Sequence, residues 1–292
     1  MAIDISKKIQ RIFPTLSKSH KKIANMVLHN SDKIADLTAR RLANLLDISE
    51  ATVVRFANKL GFEGYHQFQL AVQEYMRSNL TPNLRIEMTK KRIGRADIVE
   101  CVMDADIAKL RYTMDTLDRS AFNHAVDALL AAKRIYVAGA RSSEPIARIL
   151  FYNLSLIFDN VRFVNPTYSS EIYEQMFSIG ENDTLIAFSF PRYSAKMVNS
   201  VKFASDSKAK VIAITDSKSA PIAEYANYVL TAQSDMASFM DSLVAPLSII
   251  NAMIVEITRR REREIKKRFD MLEKIWEDYG VYNVHTTSHK KR

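Results

Sequence analysis

Through residues 1–76 apolar positions recur at helical spacing, and the segment reads as helices only. Ser17 can cap a helix carrying Ile23, Ala24, Val27 and Leu28. Thr38 can cap the next, with Leu42, Ala43, Leu45 and Leu46. Ser49 can cap a third, with Val53, Val54, Phe56, Ala57 and Leu60, closed by Gly61. A fourth spans about 65–76. Residues 77–96 turn polar and basic around Pro82 and Gly94, as a charged, flexible connector would. Met103, Ile107, Leu110, Met114 and Leu117 then step by four and three, the stripe of a long amphipathic helix. Packing on its own domain is the preferred use of that stripe, a dimer contact the second.

Short apolar runs follow at 135–139, 161–164, 185–190, 211–215 and 228–230, and read as strands. Helical stretches at about 144–158, 168–178, 195–206 and 219–225 separate them. Long helices follow at about 241–263 and on to about 279. Continuous apolar strands alternating with helices indicate a parallel sheet covered on both faces. The fold class expected is an all-α helix-turn-helix domain followed by a doubly wound α/β domain. The expected division is 1–77, a basic linker at 78–96, and 97–292.

Length agrees, since 292 residues suggest about two domains. Charge sharpens the division. Residues 1–95 hold 17 basic and 8 acidic side chains, residues 96–255 hold 14 and 18, and residues 256–292 hold 11 and 7. A basic front on an acidic middle suggests a nucleic-acid-binding module joined to something else, although a solvated basic face gives the same excess. One cysteine, Cys101, excludes an internal disulfide, and no Cys/His cluster has zinc spacing, so neither metal nor cofactor is expected. His285 and His289 have i, i+4 spacing but lie in a polar tail. The first residues reach charge at once, and the longest uncharged apolar stretch, 242–255, is 14 residues. A membrane span needs roughly 20. A soluble, cytoplasmic protein without a membrane partner is expected.

Residues 37–62 read LTARRLANLLDISEATVVRFANKLGF. Two short helices meet at Asp47, Ile48 and Ser49, with Ile48 as the apolar turn residue, the layout of a helix-turn-helix. The second helix of such a motif enters the major groove amino end first. With Val53, Val54, Ala57 and Leu60 inward, Glu50, Ala51, Thr52, Arg55 and Lys59 face outward. Arg55 suits a bidentate contact to guanine, Thr52 and Lys59 suit phosphates or thymine edges, and Ser49 can donate to a phosphate. A hairpin with merely solvated cations is the plainer alternative. Arg85, Lys90, Lys91, Arg92 and Arg95 in the linker can add phosphate contacts. In 258–267, TRRREREIKK, charge pairing is favoured over DNA contact.

Two strand-to-helix loops carry hydroxyls. Gly139, Ala140, Arg141, Ser142 and Ser143 lead to Glu144 and Pro145; Ser189, Phe190, Pro191, Arg192, Tyr193 and Ser194 lead to Ala195. Both lie beyond carboxyl ends of strands, where α/β ligands bind. Helix amino termini, serine hydroxyls and the two arginines suit a small anion. The alternative is that Ser142, Ser143 and Ser194 only cap helices.

At these residues the chain resembles the RpiR family of bacterial transcriptional regulators over nearly its whole length. SEATVVRFANKLGF, residues 49–62, is similar to that family's recognition helix, and the remainder resembles a sugar isomerase (SIS) domain. The resemblance implies a dimer or tetramer, a palindromic double-stranded operator, a phosphorylated sugar as effector, and control of sugar or amino-sugar genes. The family's first loop resembles G-x-G-S-S with alanine four residues on. Gly139, Ser142, Ser143 and Ala147 match, but Arg141 stands at the second glycine. The second loop, usually S-G-x-T, is here Pro191, Arg192, Tyr193 and Ser194, so arginine again replaces glycine. The arginines either hold an anion or fill the pocket. The first is preferred, because two buried arginines without an anion would be costly. A phosphosugar isomerase would instead need a general base; Glu171, Glu174 and His124 are the candidates. A constitutive DNA binder with a dead sensor is the third reading.

Overall fold

The computed structural model describes residues 5–79, 81–94, 97–165, 171–235 and 238–282. The front module is helical: α1 (Ile5–Ile12), α2 (Lys18–His29), α3 (Ser31–Ile34), α4 (Ala39–Leu46), α5 (Glu50–Lys59) and α6 (Tyr65–Asn79). The caps fall where hydroxyls precede the apolar stripes: Ser17, Thr38 and Ser49 each accept a hydrogen bond from the backbone three residues on. The first helix and the one-turn α3 escape the sequence reading, having no capping signal of that kind. These helices enclose one apolar core in which Ile9, Ile23, Leu42, Phe56 and Phe68 are completely or almost completely buried.

The expected flexible connector is a helix, α7 (Pro82–Ile93), capped by Thr81 and begun by Pro82. Proline lacks an N–H that the first turn would leave unsatisfied anyway, so it starts a helix as readily as it breaks one. Arg85 and Thr89 lie on its buried face. Next come α8 (Ile98–Thr116) and α9 (Arg119–Ala131). In α8 the buried positions are Lys109 and Thr113, with Leu110 and Leu117 partly covered. Met103, Ile107 and Met114 are exposed, by 61% and 59% at the two methionines. Contact with its own domain therefore does not use the whole expected stripe. The helix turns a mixed face to the domain, and Ser242 and Lys109 both hydrogen-bond to Asp106 there.

The α/β domain contains β1 (Arg134–Gly139), α10 (Glu144–Ile157), β2 (Val161–Val164), α11 (Glu171–Met176), β3 (Asp183–Phe188), α12 (Ala195–Asp206), β4 (Lys210–Thr215), β5 (Tyr228–Thr231), α13 (Val244–Arg260) and α14 (Glu262–Asp278). All five strands pair in parallel in the order β2-β1-β3-β4-β5. Side-chain alternation divides β1 between two cores: Ile135 and Val137 face α9, α10 and α13, while Tyr136 and Ala138 face α11 and α12. The stretch expected at 219–225 is a 3-10 turn over Pro221–Tyr225. The long helix starts at Val244, three residues late, and breaks at Arg261. Part of the expected 168–178 helix, residues 168–170, lies outside the described residues, as do His285 and His289. The basic stretch near 260 is internally paired: Glu256 accepts from Arg259 and Arg260, whose guanidinium groups hold its pKa down at about 2.

Candidate functional site

The turn between α4 and α5 is built by Asp47, whose backbone is left-handed (φ +52°), and by Ile48, whose N–H bonds back to Ala43 at 3.1 Å. Ile48 packs on the core as an apolar turn residue should. On α5, Val53, Phe56 and Ala57 are buried and Val54 is half-buried. Glu50, Ala51, Arg55 and Lys59 are exposed and Thr52 half-exposed, so all five side chains expected to face outward are accessible. Ser49 caps the helix, its Oγ accepting from the Thr52 amide and lying 2.8 Å from Thr52 Oγ1, and Arg55 donates to Thr52 at 3.3 Å. Lys59 reaches the Thr15 carbonyl at 3.4 Å. Arg40 and Arg41 are exposed at the start of α4.

His20, also missed, packs on this helix from α2, its ring centroid 5.4 Å from that of Phe56. Burial, then Lys59 and Arg55, hold its pKa below the ordinary 6.5, while a backbone hydrogen bond to Thr52 opposes them.

In the linker, Arg85 is not offered to the DNA backbone. It is 4% exposed and pairs with Asp241 at 2.6 Å. Lys90 is exposed; the side chains of Lys91 and Arg92, and the whole of Arg95, lie outside the described residues.

The second site follows from topology. Strands β1 and β3 are neighbours, Gly139 opposite Phe188, while their following helices cover opposite faces of the sheet. The two outgoing loops therefore part at the switch point and leave a crevice. A cavity of about 540 Å³ lies there. Arg141, Ser142, Ser143, Ser189, Arg192 and Ser194, all six expected site residues, line it. Gly139 is required for the tight first loop: a Cβ there would stand 2.6 Å from the Ser143 carbonyl oxygen and 2.7 Å from Ala147 Cβ.

The serines do not do what the capping alternative requires. Ser143 and Ser194 stand at the cap positions of α10 and α12, yet neither side chain makes a cap hydrogen bond. Ser143 and Ser189 are buried at the cavity wall. Arg141 and Arg192, in contrast, are exposed, so the expected burial is incorrect. They do not fill the cavity; they stand at its rim. Among the described residues neither has an ion-pair partner. Both keep the left-handed backbone that suits glycine, φ +56° and +60°. That conformation costs a side-chain-bearing residue roughly 1–2 kcal/mol. Glu171, Glu174 and His124 do not line the cavity; His124 stacks on Tyr228 and lines a separate hollow with Asp183 and Lys210, from the first residues of β3 and β4.

A helix-turn-helix with a basic recognition surface, joined to an α/β domain with a ligand-sized crevice, defines a two-domain transcriptional regulator. Residues 3–79 match the helix-turn-helix domain of the rpiR family, and residues 128–256 match the SIS domain. The chain belongs to the RpiR family of transcriptional regulators. An HTH-type transcriptional regulator of Haemophilus influenzae is 26% identical over 262 residues, 87% of this chain and 90% of that protein. HexR, an HTH-type transcriptional regulator of Escherichia coli, is 28% identical over 271 residues, 89% of each chain. The solved Vibrio vulnificus NanR protein complexed with ManNAc-6P shares the fold over 96% of this chain and 100% of its own, with TM-score 0.60 and 18% identity. Among the described residues no helix is long and apolar enough to cross a membrane.

Replacing Arg141 or Arg192 by glycine is expected to stabilise the domain by about 0.5–1 kcal/mol in urea unfolding, strain relief being partly offset by the freer unfolded chain. A loss of stability of that size would show that these side chains serve packing.

Proposed function

We propose that the chain binds a palindromic operator in double-stranded DNA through Ser49, Glu50, Thr52, Arg55 and Lys59. Its affinity is set by a phosphorylated sugar in the cavity lined by Arg141, Ser142, Ser143, Ser189, Arg192 and Ser194. The genes under control are those of sugar or amino-sugar use. The cavity carries this reading. Hydroxyls that ignore their helix caps, two helix amino termini and two rim arginines offer an anion donors from several directions. NanR, solved with ManNAc-6P, supports the same ligand class.

We read the protein as a regulator rather than an isomerase. Isomerisation needs a positioned base, and the cavity's carboxylate, Asp241, is tied to Arg85. The protein acts as a homodimer or tetramer, which would give the two-fold symmetry a palindrome requires. The exposed stripe of Met103, Ile107 and Met114 on α8 suits that contact, because exposed apolar patches mark interaction surfaces.

Three outcomes are expected. In a thermal-shift panel of hexose 6-phosphates at least one member raises the melting temperature; no shift with any member argues for a dead sensor. In gel shifts with the chain's own promoter, Arg55→Ala costs roughly 1–3 kcal/mol and relaxes specificity, whereas Lys59→Ala lowers the salt slope by about one. Equal effects on all sequences would remove Arg55 from base reading. The double variant Met103→Asp with Met114→Asp sediments with a smaller mass than the parent; an unchanged mass would place the contact elsewhere.

A further inference from the structure

The cavity is not lined by the α/β domain alone. Pro82 and Arg85, from α7, form part of its wall beside the two serine loops. Arg85 is therefore a third arginine at the site, 156 residues from its partner Asp241 and the one of the three that is buried. Asp241 lies in the segment leading into α13, and its side chain is only 10% exposed. Burial raises its pKa, and the charge and hydrogen bond of Arg85 oppose that rise. The pair is thus a desolvated one, in which the carboxylate pays heavily for leaving water.

The charges at the cavity are Arg85, Arg141 and Arg192 against Asp241, an excess of two positive. A phosphate monoester carries about −1.5 to −2 near neutral pH and offers three acceptor oxygens. It matches that excess and is a stronger multidentate partner for a guanidinium than one carboxylate.

A second hollow is shared by the two modules at the same loop. Pro191 and Tyr193 line this cavity and also a neighbouring one of about 470 Å³, whose wall includes Leu70 and Gln73 of α6. Gln73 donates to the Ala35 carbonyl and to Asp36, and Gln69 donates to Ala35 and Leu37, immediately before α4. The linker helix thus borders the effector cavity directly, and α6 of the DNA-binding module borders the hollow next to it.

We propose that Asp241 and the effector's phosphate compete for Arg85. In the empty site Asp241 holds Arg85 and docks α7; in the filled site the phosphate takes the guanidinium, undocking the linker helix and altering the support of α6 and the helix-turn-helix. The inference rests on the phosphosugar reading above, and names Arg85 as the residue that transmits occupancy.

The test uses the full chain, with inorganic phosphate and the hexose 6-phosphate panel as probes. Two readouts are followed: binding by calorimetry and amide hydrogen exchange across Pro82–Ile93. Asp241→Asn, nearly isosteric, is expected to bind the anions about tenfold more tightly, and Arg85→Gln about tenfold more weakly, as for a charged hydrogen bond gained or lost. Without ligand, both variants exchange α7 amides about tenfold faster than the parent. Anion binding to the parent accelerates the same amides. Arg85→Lys, a gentler change that keeps charge without the fork, falls between parent and Arg85→Gln. If the parent binds an anion but the variants bind it equally well, or α7 exchange does not respond, the competition is refuted and the phosphosugar reading stands. Weaker binding by Asp241→Asn also refutes it. If no panel anion binds the parent, both readings fail together.

Discussion

The adjacency of β1 and β3 governs the function of the α/β domain. Parallel neighbours whose following helices cover opposite faces cannot have their outgoing loops in contact, so a crevice forms at their carboxyl ends. The amides and hydroxyls at the starts of α10 and α12 border that crevice. Gly139 sets how tightly the first loop turns, and the hydrogen bond from Tyr193 to Asp216, 2.9 Å, anchors the second. The sheet's apolar cores on either face supply the rigidity that keeps these donors in place.

Within this frame the two exposed arginines occupy backbone conformations that disfavour them. Strain kept at a cavity rim, by side chains with no ion-pair partner among the described residues, is expected where the side chain serves binding rather than folding. Arg85 represents the opposite arrangement, with an unstrained helical backbone and its charge held in a buried pair. The rim cations stand exposed at the mouth of the cavity. The buried one links the cavity to the chain segment that carries the DNA-binding module.

That module depends on a left-handed turn at Asp47 and the close packing of Phe56 and Phe68, whose rings meet edge to face at 5.7 Å. With α5 held through Phe56 by the rings of His20 and Phe68, its outer side chains project from a well-packed helix. Rigidity there limits the entropy lost on docking in a groove.

Local chemistry alone specifies much of this protein. Hydroxyl caps and apolar stripes mark α2, α4 and α5, and Gly61 stops α5, because these signals act within one turn of helix. The five strands are legible as short, largely apolar runs, within two residues at each end, and the central β1, β3 and β4 are buried almost throughout, as a sheet covered on both faces requires. The six cavity residues are legible too, because strand-to-helix loops of a parallel sheet must share one edge. Three matters were decided only by the tertiary structure. Residues 82–93 look like a flexible connector until Arg85 finds Asp241, a partner 156 positions away. The apolar stripe of α8 looks like core until its domain covers Lys109 and Thr113 and leaves Met103 in water. Arg141 and Arg192 look buried by their place in the loops, yet the folded domain leaves both exposed at the cavity rim. Each depends on long-range packing, in which the surroundings come from residues remote in the chain, and local pattern does not encode which remote residues those are.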